Sequence, residues 1–169
     1  MIFPRIRRVM VALLLSLVLF TTACATQAPG RFDQVQQETQ RGVQAVDKSA
    51  TQGGSFNKYF PNSQSGFERV FTQEKKGFAQ ANLKKDGKVV AQLSVSDTSS
   101  VPTAAAKYAN SDKKIAGYPA VQTGNTQTSI LVGNRYQVTA RSVDPSFTAS
   151  DRAEWLGKFN LSGIANLKS

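Results

Sequence analysis

The chain holds one cysteine, Cys24, eleven Asp and Glu residues and no histidine among its 169 residues. Without histidine there is no Ser-His-Asp or Cys-His nucleophile arrangement, no imidazole base and no His-ligated zinc. A single thiol cannot build a Cys-rich metal site or an internal disulfide. Paired carboxylates could still hydrolyse a glycosidic bond. The acids, however, stand where Asp and Glu serve local structure: Glu74 before Lys75, Asp86 in a hairpin turn, Asp112 before Lys113 and Asp151 at a helix start. No glycine-rich phosphate cradle opens a helix. These observations predict no catalytic residue, no metal and no cofactor, so the chain is read as a non-enzyme.

The surroundings of Cys24 point to a different chemistry. Arg5, Arg7 and Arg8 precede an apolar run from Val9 to Phe20, and Thr21-Thr22-Ala23 leads into the cysteine. A basic leader, an apolar core and a small-residue exit are the order of an export signal. The run is short of the roughly 20 apolar residues that a permanent helical span needs. The Thr-Ala-Cys ending resembles the lipobox of bacterial lipoproteins, in which the cysteine becomes the first mature residue and carries lipid; Thr21 departs from the Leu usual there. Ala23-Cys24-Ala25 is also an A-x-A site, at which ordinary cleavage would follow Ala25 and discard the thiol. Lipidation of Cys24 is the expectation. It places the protein on a membrane, on the side to which the chain is exported, held by fatty chains.

Residues 1–23 are thus expected as a signal peptide, 24–55 as a tether and 56–169 as one globular domain, in keeping with length. The leader removes three arginines, leaving 18 basic residues against 11 acidic ones and a charge of about +7. Lys75-Lys76, Lys84-Lys85, Lys88 and Lys113-Lys114 lie in or beside turns. Such clusters suit solubility, anionic lipid or an acidic protein surface. Nucleic acid is not expected, because no basic motif interleaved with aromatics is present.

In the tether, Phe32, Val35, Thr39, Val43 and Val46 recur at helical spacing, giving a weak amphipathic helix interrupted by Gly42. A polar break, Ser49 to Ser55, follows. Phe67, Val70 and Phe71 mark a short β-rich segment. Ala79, Ala81 and Leu83 alternate, as do Val89, Ala91, Leu93 and Val95, around Lys85-Asp86-Gly87. A three-residue loop with Gly87 left-handed pairs Leu83 with Val89 and Ala81 with Ala91, giving the hairpin one oily face. Ser99 to Asn110 is expected as a helix of about three turns, with a serine cap and an early proline. Strands are expected over Lys113 to Val121, broken at Gly117-Tyr118-Pro119, and over Thr128 to Val132 and Arg135 to Val143 around a II′ turn at Gly133-Asn134. Ser150 is expected to cap a helix carrying Trp155, Leu156 and Phe159, and Ser162 a last turn. The order β-β-α-β-β-β-α implies an α+β fold, an antiparallel sheet with helices packed on one face as a two-layer sandwich.

Candidate binding residues are Tyr118, Tyr136, Arg135 and Arg141 around the last hairpin, and Phe56, Tyr59 and Phe60 at the domain entrance. The bland alternative for each tyrosine is core packing with a partner for its hydroxyl. The stretch Phe67-Glu-Arg-Val-Phe-Thr-Gln-Glu-Lys-Lys-Gly77, Gly117-Tyr118-Pro119 and the ending around Asp151, Trp155 and Phe159 resemble a small family of cyanobacterial lipoproteins of uncharacterised role. More distantly, the expected topology is similar to PsbP-type lumenal accessory proteins of photosystem II. The resemblance implies no activity and carries over no site residue. Two functions are therefore expected: a lipid-anchored accessory or binding protein that supports a membrane complex, or a periplasmic carrier with a small ligand between sheet and helix near Tyr118, Tyr136 and Arg141.

Overall fold

A computed structural model describes residues 46–64 and 66–167. Cys24, the leader 1–23 and most of the periodic segment after it lie outside the described residues. Seven strands form one open antiparallel sheet: β1 (Phe67–Lys75), β2 (Phe78–Lys85), β3 (Lys88–Asp97), β4 (Lys114–Ile115), β5 (Tyr118–Thr123), β6 (Gln127–Val132) and β7 (Tyr136–Ser142). Their spatial order is β1-β2-β3-β7-β6-β5-β4, two meanders joined where β3 pairs with β7. The connection between them holds a 3-10 turn (Thr98–Ser100) and one helical turn, α1 (Thr103–Ala106); α2 (Ala149–Gly157) and α3 (Leu161–Ala165) close the chain. A further 3-10 segment, Gly53–Tyr59, precedes β1.

The α+β sheet architecture was legible, but the strand count was not. The edge strand β1 has only three apolar side chains. Lys113 to Val121 divides into β4 and β5 because Ala116 and Gly117 take φ of 52° and 85° and reverse the chain there.

Strand alternation assembles the core. Ala79, Ala81 and Leu83 of β2, Ala91, Leu93 and Val95 of β3, Val138 and Ala140 of β7, and Ile130 and Val132 of β6 share one buried face. Alanines at four of these positions leave room for Phe56, Phe60, Phe147, Trp155, Leu156, Phe159 and Ile164 from the segments packed above. The rings meet edge-on, Phe67 to Trp155 at 5.2 Å between centroids and Phe60 to Phe71 at 5.1 Å. Each such buried side chain contributes about 1.5–3 kcal/mol by removal of apolar surface from water.

The β2–β3 hairpin reaches the expected oily face by a different register. Lys85 pairs with Lys88 across a two-residue turn in which Asp86 (φ 51°) and Gly87 (φ 78°) are both left-handed, the I′ geometry. That turn alone would direct the wrong side chains inward. A bulge follows at once: Lys84 pairs with Val89 and Leu83 with Ala91, so Val90 is the extra residue that restores the alternation. At the β6–β7 turn, Gly133 (φ 59°) and Asn134 (φ 55°) are again both left-handed, which is I′ rather than the expected II′.

Other local expectations shift for identifiable reasons. The helix after Ser99 shrinks to α1, because its alanines offer no apolar stripe to bury and the anchor is Tyr108 beyond its end. The cap of α2 is Thr148, whose hydroxyl accepts from the Asp151 N–H while the Asp151 carboxylate accepts from the Thr148 N–H. Asn160, not Ser162, caps α3. Residues 46–55, expected to lie outside the domain, are stitched into it: Ala50 and Thr51 are buried, and the Gly77 N–H donates to the Thr51 carbonyl at 2.6 Å.

Candidate functional site

Most sequence-predicted site residues turn inward. Phe56 and Phe60 are buried, and Tyr59 is half-buried against the same core, so this trio staples the 3-10 segment over β1, β2 and α3. The Tyr136 hydroxyl shares a 3.1 Å hydrogen bond with Thr51 and donates to the Leu167 carbonyl at 3.4 Å. Tyr118 packs partly buried against the core face of β5. Arg141, by contrast, follows the core residue Ala140 and is exposed on the opposite face. The sheet thus separates Arg141 from Tyr118 and Tyr136, and these three do not form one pocket.

Arg135 belongs to a structural knot. Its Nε and Nη2 donate to Asp97 at 2.9 and 2.8 Å, and Nη2 also donates to the Ser49 carbonyl at 2.8 Å. The buried carboxylate of Asp97 further accepts from the Thr51 N–H at 2.9 Å and the Ser99 N–H at 3.1 Å. Burial opposes its charge, but the Arg135 guanidinium and the two backbone donors outweigh that and hold Asp97 well below the usual carboxylate range. An unfolded Asp protonates near pH 3.9. The stabilisation is therefore complete above that pH and drains as pH falls toward the folded value. Asp47, Asp144 and Asp151 are lowered too, by hydrogen bonds from Ser49, Ser146 and Thr148, and act with the same sign. Urea midpoints measured across pH should stay level near neutrality and fall steeply below about pH 4. Asp97→Asn should flatten part of that fall, and an unchanged slope would count against this assignment.

The face of the sheet opposite the core carries cross-strand rows of amides and hydroxyls. Gln80 faces Ser94, which faces Thr139; Asn82 faces Gln92, which faces Arg141, which faces Gln127; Ser96 faces Gln137. Several side chains touch along these rows, as with Gln137 Nε2 to Thr139 Oγ1 at 3.2 Å. Each amide retains further donor and acceptor capacity. Phe78, Gln80, Gln92, Ser94, Gln127, Gln137 and Arg141 border a shallow depression of about 200 Å³. Toward β5 this face is covered by Tyr108, which is buried and donates to Ser129 Oγ at 2.7 Å, and burial pushes its hydroxyl up to about 12.

Sequence reasoning missed Arg152, the largest fully buried side chain. It lies three and four residues before Trp155 and Leu156, on the apolar stripe of α2, and that spacing was the available signal. Its Nε donates to Thr128 Oγ1 at 2.9 Å and Nη1 to Ser142 Oγ at 2.7 Å, while Nη2 has no partner among the described residues. Two depressions flank it at the start of α2. One, of about 300 Å³, is bordered by Lys113, Lys114, Thr128, Ala149 and Ala153. The other, of about 400 Å³, is bordered by Thr126, Ser142, Asp144, Phe147, Thr148 and Arg152. Among the described residues, no group of three Cys, Asp or Glu side chains could hold a metal ion.

Comparison with protein-family models, with curated proteins and with solved structures returns no match.

Proposed function

We propose that this chain is an exported protein held at a membrane by lipid on Cys24, on the periplasmic or lumenal side, where it supports a membrane complex without catalysing a reaction. The likeness to cyanobacterial lipoproteins belongs to the same reading. So does the view of the fold as two layers, sheet and helices, with the outer sheet face left for recognition. The observation that carries the proposal is that outer face. Along the depression the amides and hydroxyls can both donate and accept, Arg141 adds a cation, and no carboxylate or thiol lines it among the described residues. Such a surface suits recognition by hydrogen bonding.

Affinity purification of the full chain from gently solubilised membranes is expected to recover a partner. Arg141→Glu should weaken that recovery about tenfold or more, by turning attraction for an acidic partner into repulsion. Cys24→Ser should move the protein to the soluble fraction. Recovery of the wild-type chain alone at low salt would sink the partner reading, and unchanged membrane retention of Cys24→Ser would sink the anchor.

A second reading, a carrier for a small ligand, is favoured by the two depressions at the start of α2, which lie between helix and sheet as that reading requires. Neither Tyr118 nor Tyr136, first expected to line such a site, borders them.

A further inference from the structure

We infer that Arg152 is the anion-binding group of a site for a small ligand bearing a carboxylate or phosphate, at the N-terminal end of α2. This rests on the carrier reading and names its ligand chemistry. A guanidinium has five N–H donors. In Arg152 one is taken by Thr128 and one by Ser142, both neutral hydroxyls, and Nη2 has no partner among the described residues. The side chain is 1 % exposed. Buried charges in proteins are almost always paired, because an isolated one loses its hydration with nothing in return.

Among the described residues no carboxylate pairs directly with Arg152, and Asp151 acts on it only through space. The carboxylates nearby are engaged elsewhere: Asp151 accepts from the Thr148 N–H and hydroxyl, and Asp144 from the Ser146 N–H. Neither forms an ion pair with Arg152; the ion pairs among the described residues are Arg135 with Asp97 and Lys158 with Glu154. Lys113 and Lys114 stand at the rim of the adjoining depression, and Asp144 borders the one that Arg152 itself lines. The Ser142 hydroxyl donates to the Phe147 carbonyl at 2.5 Å, so it turns its lone pairs toward Arg152 and fixes the fork in place. A carboxylate or phosphate on Nη1 and Nη2 would take two of the three remaining donors in the bidentate manner that suits arginine. Nη2 is closed to water in this conformation, so ligand entry requires that the side chains covering it give way, and Arg152 borders the depression beside it.

The test is a titration of the detergent-solubilised full chain with sodium acetate in one arm and inorganic phosphate in the other, against chloride at matched ionic strength. Wild type is expected to show a saturable rise in melting temperature and a saturable shift of the Arg152 Nε–H resonance in at least one arm, and the responding arm identifies the oxyanion. Arg152→Met should abolish the response, Arg152→Lys should weaken it about tenfold through loss of the fork, and Arg141→Glu should leave it intact. No saturable response of wild type in either arm, or a response that survives in Arg152→Met, overturns the inference. Should Arg152→Met fail to fold, the Nε–H titration of wild type decides alone. Native mass spectrometry separates this from the carrier reading: a neutral ligand retained by Arg152→Met keeps the carrier and overturns the oxyanion site.

Discussion

Asp97→Ala is expected to remove about 3–5 kcal/mol of folding stability, the range for breaking a buried charge pair from one side. The loss is large because one carboxylate serves three segments. It accepts from Arg135 at the β6–β7 turn, from Thr51 in the segment before β1, and from Ser99 just beyond β3. Truncation strands the buried Thr51 N–H and leaves Arg135 with the Ser49 carbonyl alone. Arg135→Ala should cost less, because its side chain is 27 % exposed and the two backbone donors stay on Asp97. Most domains are stable by only 5–15 kcal/mol, so Asp97→Ala should lower the urea midpoint by a large fraction with an unchanged slope. A loss under about 1 kcal/mol, the scale of an exposed pair, would show that the junction is incidental.

Gly53→Ala should be nearly as damaging through sterics alone. A methyl at Gly53 would fall 2.7 Å from the Lys75 amide nitrogen and closer still to the Phe78 carbonyl, both backbone atoms at the β1–β2 turn. Backbone held in a ladder cannot step aside, and overpacking of this kind costs about 3 kcal/mol. Gly54 is the control: its added methyl meets only Glu74 Oε2, at 3.4 Å, the tip of a flexible side chain. Gly54→Ala should stay within about 0.5 kcal/mol of wild type. Equal thermal midpoints for the two variants would show that the segment does not dock as described.

These two sites also mark where the sequence was hard to read. Leu83, Leu93 and Val95 announced their face by alternation, and Trp155, Leu156 and Phe159 announced theirs by helical spacing, because burial of apolar surface leaves a period in the chain. Residues 46–55 leave none. They dock through Thr51, Gly53 and backbone carbonyls, and a polar segment that docks through its main chain looks like a linker. Arg152 was obscured in the opposite way, as a charged residue on an apolar stripe where charge is ordinarily taken for surface. The bulge at Val90 shows how a correct face can come from an incorrect register, since the I′ turn and the extra residue each shift the alternation by one and cancel. Arg141 was read correctly as a residue of β7, but the parity that sets it opposite Tyr136 emerges only once the strand is placed.

The join between the two meanders carries a consequence for synthesis. A chain delivered amino-terminus first, from a ribosome or through a membrane pore, can complete β1, β2 and β3 as local hairpins. The free edge of β3 must then wait, with Leu93 and Val95 beside it, until Tyr136 to Ser142 emerges, because the ladder pairs Asp97 with Tyr136 and Ala91 with Ser142. Distant pairing is the slow step of folding, and an unpaired strand edge invites the wrong neighbour. The half-delivered molecule is thus the vulnerable one, and a chaperone on its route would find its handhold along β3.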